Sequence, residues 1–240
     1  MAFQRKRLAS FALYSGILSA CLVSAPSLAQ SDAEQTQDGD AGSAIAYQPI
    51  AQPDTQDRGV FVAQIGDTNR AEVRQQSNAS YARVIQKGAE NAVNLEQGAS
   101  GTHYASIAQD GEVNTLDAAQ NGSGQTVLLL AQQGDGNSAI IRQTDTGDDY
   151  SAASVWQDGQ GNSLLLVQNG SDNQARLTQE GTNNLMTATQ ADNGNRLEWT
   201  QTGTGLADLQ INQLGGASVE ITQSNTSSAQ FAPSSLGNGG

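Results

Sequence analysis

Residues 80–97 read SYARVIQKGAENAVNLEQ, and their spacing decides the fold. Asn91, Val93, Leu95 and Gln97 fall at i, i+2, i+4 and i+6, the period of a strand with one face turned inward. Ala82 and Val84 hold the same phase before Gln86, with Ser80 as the first inward residue. Lys87-Gly88-Ala89-Glu90 separates the two halves, and glycine there tolerates the positive φ of a tight turn. A helix is opposed by recurrent glycine and β-branched residues, with no i, i+3, i+4 stripe to compensate.

Outward from this stretch the pattern recurs. Gln64, Gln75, Gln86, Gln97, Gln109, Gln120, Gln132, Gln143, Gln157, Gln168, Gln179, Gln190, Gln201, Gln213 and Gln223 are spaced 10 to 14 residues apart, most often 11. Gly66, Gly88, Gly111, Gly134, Gly159, Gly170 and Gly181 each follow a Gln by two. Asn69, Asn91, Asn114, Asn137, Asn162 and Asn184 each follow one by five. The unit is Gln-x-Gly-x-x-Asn-x-(Ala/Leu/Val)-x-x-x-Gln, one strand and one turn. Alternate units begin inward on Ser80, His103, Thr126 and Ser151 instead of Asn, so the true repeat is two strands and 22 to 25 residues long.

The expected fold is all-β: a two-sheet β-solenoid of about seven strand-turn-strand arches over residues 58–223, roughly 34 Å tall at roughly 4.8 Å per rung. A partial rung is expected over 217–231. Within an arch Val60 and Val62 face Ala71 and Val73, then Ala82 and Val84 face Val93 and Leu95, a dry seam one or two side chains thick. The Gln and Asn positions are expected to stack like over like as amide ladders, because a buried amide left unpaired costs about 1–3 kcal/mol.

Composition agrees with a thin core. Of 240 residues 37% are hydrophobic and 5% aromatic, too few for one thick buried centre; Gln numbers 29, Gly 26 and Asn 17. The 24 acidic against 11 basic side chains argue against nucleic acid or an anionic membrane as partner. Residues 1–29 read as a secretory signal: Arg5-Lys6-Arg7, an apolar stretch, then Ser27-Leu28-Ala29 after Pro26. Leu18-Ser19-Ala20-Cys21 offers the alternative of lipid attachment at Cys21. Residues 30–57 are acidic and carry Pro49 and Pro53, the signature of a disordered leader; 224–240 read as a partial last strand and flexible tail. Cleavage after Ala29 would take the net charge from −13 to −16. No second long apolar run follows, so no transmembrane segment is expected. Neither end reads as a folded cap, and uncovered strand edges template further strands.

These positions resemble the curlin repeat, Ser-x5-Gln-x-Gly-x-x-Asn-x-Ala-x3-Gln, of curli fibre subunits. Residues 80–97 match it except that Val93 stands for Ala, and residues 151–168 match with Leu164 in that place. His103 and Thr126 depart from the Ser, and Asp192 from a turn Gly. The resemblance implies an extracellular functional amyloid at the bacterial surface, exported by the general secretory route and an outer-membrane pore. It further implies adhesion and biofilm matrix as the task, and as partners further copies of the chain and a nucleator or major-subunit homologue. Whether the chain would be a major subunit or a nucleator stays open.

No enzyme, metal site or cofactor is expected. His103 is the only His and reads as a substitute at the Ser position of the arch. Asp67, Asp110, Asp135, Asp158 and Asp172 recur near turns, but the Gly-Gly-x-Gly-x-Asp nonapeptide of calcium-binding β-rolls is missing. Phe61, Tyr81, Ile85, Tyr104, Val127, Leu129 and Trp156 are expected to point outward as an apolar strip. Outward Thr-x-Thr is expected only at Thr187 and Thr189. The alternative to a fibre subunit is a monomeric β-solenoid adhesin or surface binding module.

Overall fold

A computed structural model describes residues 58–225 in full and the backbone of two further strands, β1 (Leu22–Ser24) and β2 (Ala33–Gln37). Fifteen strands follow: β3 (Gly59–Ile65), β4 (Arg70–Gln75), β5 (Tyr81–Ala89), β6 (Ala92–Gln97), β7 (Thr102–Glu112), β8 (Thr115–Asn121), β9 (Gln125–Asp135) and β10 (Ser138–Thr144). Then come β11 (Tyr150–Gln160), β12 (Ser163–Asn169), β13 (Gln174–Thr182), β14 (Leu185–Ala191), β15 (Arg196–Thr204), β16 (Ile211–Leu214) and β17 (Ser218–Ser224). From β3 onward, odd strands build one sheet and even strands the other, and the described neighbours within each sheet pair in parallel. The chain is therefore an all-β solenoid of about seven turns. Each arch returns the chain to the same side, so strands one repeat apart run the same way.

The register is set by the Gln positions. Gln64 stands over Gln86, Gln86 over Gln109 and Gln75 over Gln97, and this continues to Gln190 over Gln213 and Gln201 over Gln223. A slip by one residue would turn every inward side chain to solvent. Between the sheets lies the seam: Val60, Val62, Ala71 and Val73 in the first rung, Ala153, Val155, Leu164 and Leu166 in the fifth, all 3% exposed or less.

Three features differ from the sequence expectation. Most of the repeat glycines sit at the ends of the long odd strands, as Gly88 does in β5 and Gly111 in β7, so the turn proper comes one or two residues later. Close packing keeps them: a Cβ on Gly88 would overlap the carbonyl oxygen of Gly111, and one on Gly134 that of Gly159. The turn residues themselves, Thr68, Glu90, Val113, Gly136, Gly161, Asn183 and Gly205, all have positive φ, and from Glu90 onward their N–H groups bond down the stack, as Val113 N–H does to the Ala89 carbonyl at 3.0 Å.

The leader is the second difference. Expected to be disordered from 30 to 57, it contains β2, which pairs in parallel with β3 and sets Gln37 beside Gln64. β1, within the expected signal segment, pairs with β4. The rest of 1–57 lies outside the described residues, as does 226–240, which holds most of the expected tail. The third difference is at the far end, where β16 keeps only four residues and 206–210 leave the strand path. The indole of Trp199 fills the seam of that rung, fully buried, where Leu177 stands one rung earlier.

Candidate self-assembly surface and amide ladders

The inward Gln side chains form two continuous columns. In one, Gln64 Nε2 donates to Gln86 Oε1 at 2.7 Å, and the bonds run on through Gln109, Gln132, Gln157, Gln179 and Gln201 to Gln223 at 2.7–3.0 Å. In the other, Gln75 donates to Gln97, and Gln120, Gln143, Gln168, Gln190 and Gln213 follow at 2.7–3.1 Å. Each donor is the earlier rung and each acceptor the later. Beyond the first rung, the amides also donate across the arch, as Gln86 does to the Arg70 carbonyl at 3.1 Å and Gln97 to the Tyr81 carbonyl at 3.0 Å, which ties the two sheets together. The stack thus satisfies polar groups that an isolated arch would bury unpaired.

The Asn column runs the opposite way. Asn91 Nδ2 donates back to Asn69 Oδ1 at 3.0 Å, and Asn114, Asn137 and Asn162 each donate to the rung before. Backbone N–H groups of Asn91 and Asn184 reach the same kind of acceptor, Asn69 Oδ1 and Asn162 Oδ1, each at 3.1 Å. At the opposite corner the Ser series holds a mixed column. Ser80 Oγ accepts from the His103 N–H, His103 Nδ1 lies 2.9 Å from Thr126 Oγ1, and Ser151 Oγ accepts from the Asn173 N–H. Asn173 and Asn195, which also follow a Gln by five and give the sixth and seventh rungs Asn in both strands, extend it as a second amide pair at 2.9 Å.

His103 is buried, and desolvation holds its pKa below the ordinary 6.5, against the opposing pull of the Ser100 carbonyl and the Asp145 carboxylate. Asp145 was not singled out from the sequence. The one visible signal was the 14-residue interval between Gln143 and Gln157, which lengthens this turn. Its carboxylate is fully buried and accepts from the Gly147 N–H at 2.9 Å. Among the described residues no group of three His, Cys, Asp or Glu is gathered as metal ligands would be. Asp110 and Asp158 stand on strands rather than in turns, and Asp172 pairs with Arg196 at 2.8 Å.

The outward face of the odd sheet carries the aromatic strip. Phe61, Tyr81 and Tyr104 stack at centroid distances of 5.4 and 5.0 Å, while Val127 lies 2% exposed despite its outward direction. Thr200 and Thr202 also face outward on β15, Thr200 in register with Thr178 and Thr222, so Thr187 and Thr189 are not alone.

Residues 159–191, from the end of β11 through β14, match the family model described as the curlin associated repeat. The chain carries a curlin associated repeat. Neither a curated protein nor a solved structure matches it. Within the matched stretch Gln168, Asn173, Gln179, Asn184 and Gln190 hold the same ladder positions as their counterparts in the other rungs. No helix among the described residues is long and apolar enough to cross a membrane.

Proposed function

We propose that the chain is a secreted structural subunit of curli-like functional amyloid fibres, which self-assemble by end-to-end stacking of rungs to serve adhesion and biofilm matrix. The observation that carries this reading is the repetition of one hydrogen-bonding plan through every rung: the surface that each rung offers upward is the one its neighbour needs below. A stack of that kind gains from another copy what it gains from its own next arch. Export through the outer membrane, and a nucleator or major-subunit homologue as partner, follow from the family and belong to the same proposal. No catalytic or cofactor role enters it.

The outward stack of Phe61, Tyr81 and Tyr104 favours a second reading, a monomeric adhesin that presents this face to a surface partner. Incubating residues 30–240 with an amyloid-binding dye, followed by electron microscopy, separates the two. Dye-positive unbranched fibres are expected. A chain that stays monomeric and dye-negative for days at neutral pH overturns the fibre reading and leaves the adhesin.

A further inference from the structure

The leader strand β2 has the backbone register of a rung and the wrong sequence for one. It lies on β3 as true rungs lie on each other: Gln37 stands beside Gln64 as Gln64 stands beside Gln86, and Ala33 beside Val60 as Val60 beside Ala82. Yet Gln35 takes the register place that Val62, Val84, Ile107, Leu130 and Val155 hold in the strands that follow, a place in the apolar seam. In sequence Gln37 is followed by Gly39, but Gly42 replaces the Asn expected five residues on, and Gln37 and Gln64 are 27 residues apart instead of 22 to 25. We infer that β2 is an autoinhibitory cap, a decoy half-rung that holds the odd-sheet edge closed until a strand of another copy displaces it. This rests on the fibre reading and adds a control to it.

Backbone pairing and side-chain fit pull in opposite directions at this edge. An open strand edge receives any strand that offers N–H and C=O groups at the right spacing, so β2 closes the β3 edge without needing a fitting seam. A Gln at a seam position supplies none of the apolar burial that Val or Leu supplies there, so a true rung holds the edge better than the decoy does. The tether favours the decoy at first. The 21 residues between Gln37 and Gly59 keep β2 at an effective concentration on the order of mM, far above that of separate copies in dilute solution. Charge agrees, because residues 30–57 carry six acidic and no basic side chains. Residues 58–97 carry five basic and four acidic, whereas 98–225 carry three basic and fourteen acidic, so the leader lies at the end with a basic excess. The even-sheet edge is covered by another device. β1 sets Val23 beside Val73 on β4, but it belongs to the expected signal segment, so cleavage after Ala29 would uncover β4 and leave β2 in place.

Locking and loosening the cap test it. Residues 30–240 contain no Cys, and Thr36 and Ala63 are partners on parallel strands about 4.8 Å apart, within disulfide reach. In the soluble 30–240 chain, Thr36→Cys/Ala63→Cys is expected to close an internal disulfide, read as loss of both thiols to a maleimide reagent. Oxidised, this chain is expected to lengthen the lag of dye fluorescence several-fold; reduced, it is expected to return to the lag of the unsubstituted chain. Gln35→Pro/Thr36→Pro removes two adjacent backbone donors from β2, of which one faces β3, and leaves residues 58–225 unaltered; it is expected to shorten the lag several-fold. Gln35→Val, which gives the decoy the seam residue of a true rung, is expected to lengthen it. No disulfide in the soluble chain would overturn the inference, because β2 would then not lie on β3. So would equal lags for the oxidised and reduced chains, a proline variant that lags as long as the unsubstituted chain, or a Gln35→Val chain that lags less. Fibres still form in each of those cases, and the fibre reading stands. Absence of fibres from the unsubstituted chain would remove the fibre reading and the cap with it.

Discussion

Val113 is the residue most at odds with its position. It holds φ 59° in a turn column otherwise filled by Thr68, Glu90, Gly136, Gly161, Asn183 and Gly205, and a β-branched side chain in the left-handed region costs about 1–2 kcal/mol. Asn occupies the same place at 183, so Val113→Asn is expected to raise stability by about 1 kcal/mol, read as a higher denaturant midpoint at unchanged slope; a lower midpoint would refute the strain. His103 makes the opposite kind of statement. Its pKa is depressed in the fold, so the unfolded chain binds the proton more readily, and stability is full above about pH 6.5 and falls as pH drops through the depressed value. His103→Ser, the residue found at 80 and 151, is expected to flatten the midpoint between pH 7.5 and pH 5 on the His103 side of the comparison; an unchanged pH slope would exclude His103 as the titrating group. The sequence placed His103 inward at the Ser position, but its buried neighbour Asp145 belongs to an irregular turn, which no repeat can specify.

Among elements, the long odd strands depend on glycines whose role is closeness as much as conformation. Gly134→Ala would drive a methyl into the Gly159 carbonyl, whereas Gly205→Ala, at φ 63° with nothing within 4 Å, meets only backbone strain. The first is expected to cost at least about 3 kcal/mol and the second about 1 kcal/mol, measured as midpoint shifts of the two variants. Equal shifts would show that close approach is not what keeps Gly134. The pattern of alternation made the strands and their inward faces legible, because period two and a recurrent Gln leave a single register. It did not show that the glycines would extend the strands, since turn propensity alone cannot distinguish a left-handed turn from a strand end crowded by the next rung. Nor did it show the loss of strand at 206–210, where the bulk of Trp199 falls within a seam built for aliphatic side chains.

For the molecule as a whole, the balance of charge opposes what the ladders favour. Copies of a chain with 24 acidic and 11 basic residues repel at a distance, and that repulsion is screened as the Debye length falls from about 30 Å near 0.01 M salt to about 8 Å near 0.15 M. Fibre growth is expected to quicken several-fold over that range, followed by dye fluorescence; slower growth with added salt would mean that attraction between unlike charges outweighs net repulsion. The solenoid architecture was legible at this scale because one short-range rule repeats along the chain, whereas the leader strand β2 follows no such rule and was missed. The opposed directions of the Gln and Asn columns have a consequence for length. Aligned amides in a single sense would add up to a growing axial dipole, as the peptide groups of a helix do. Here one set of dipoles is offset in part by the other, so the field at the tip changes little as rungs accumulate, and in the fibre proposed above the hundredth subunit would be received on nearly the same electrical terms as the second.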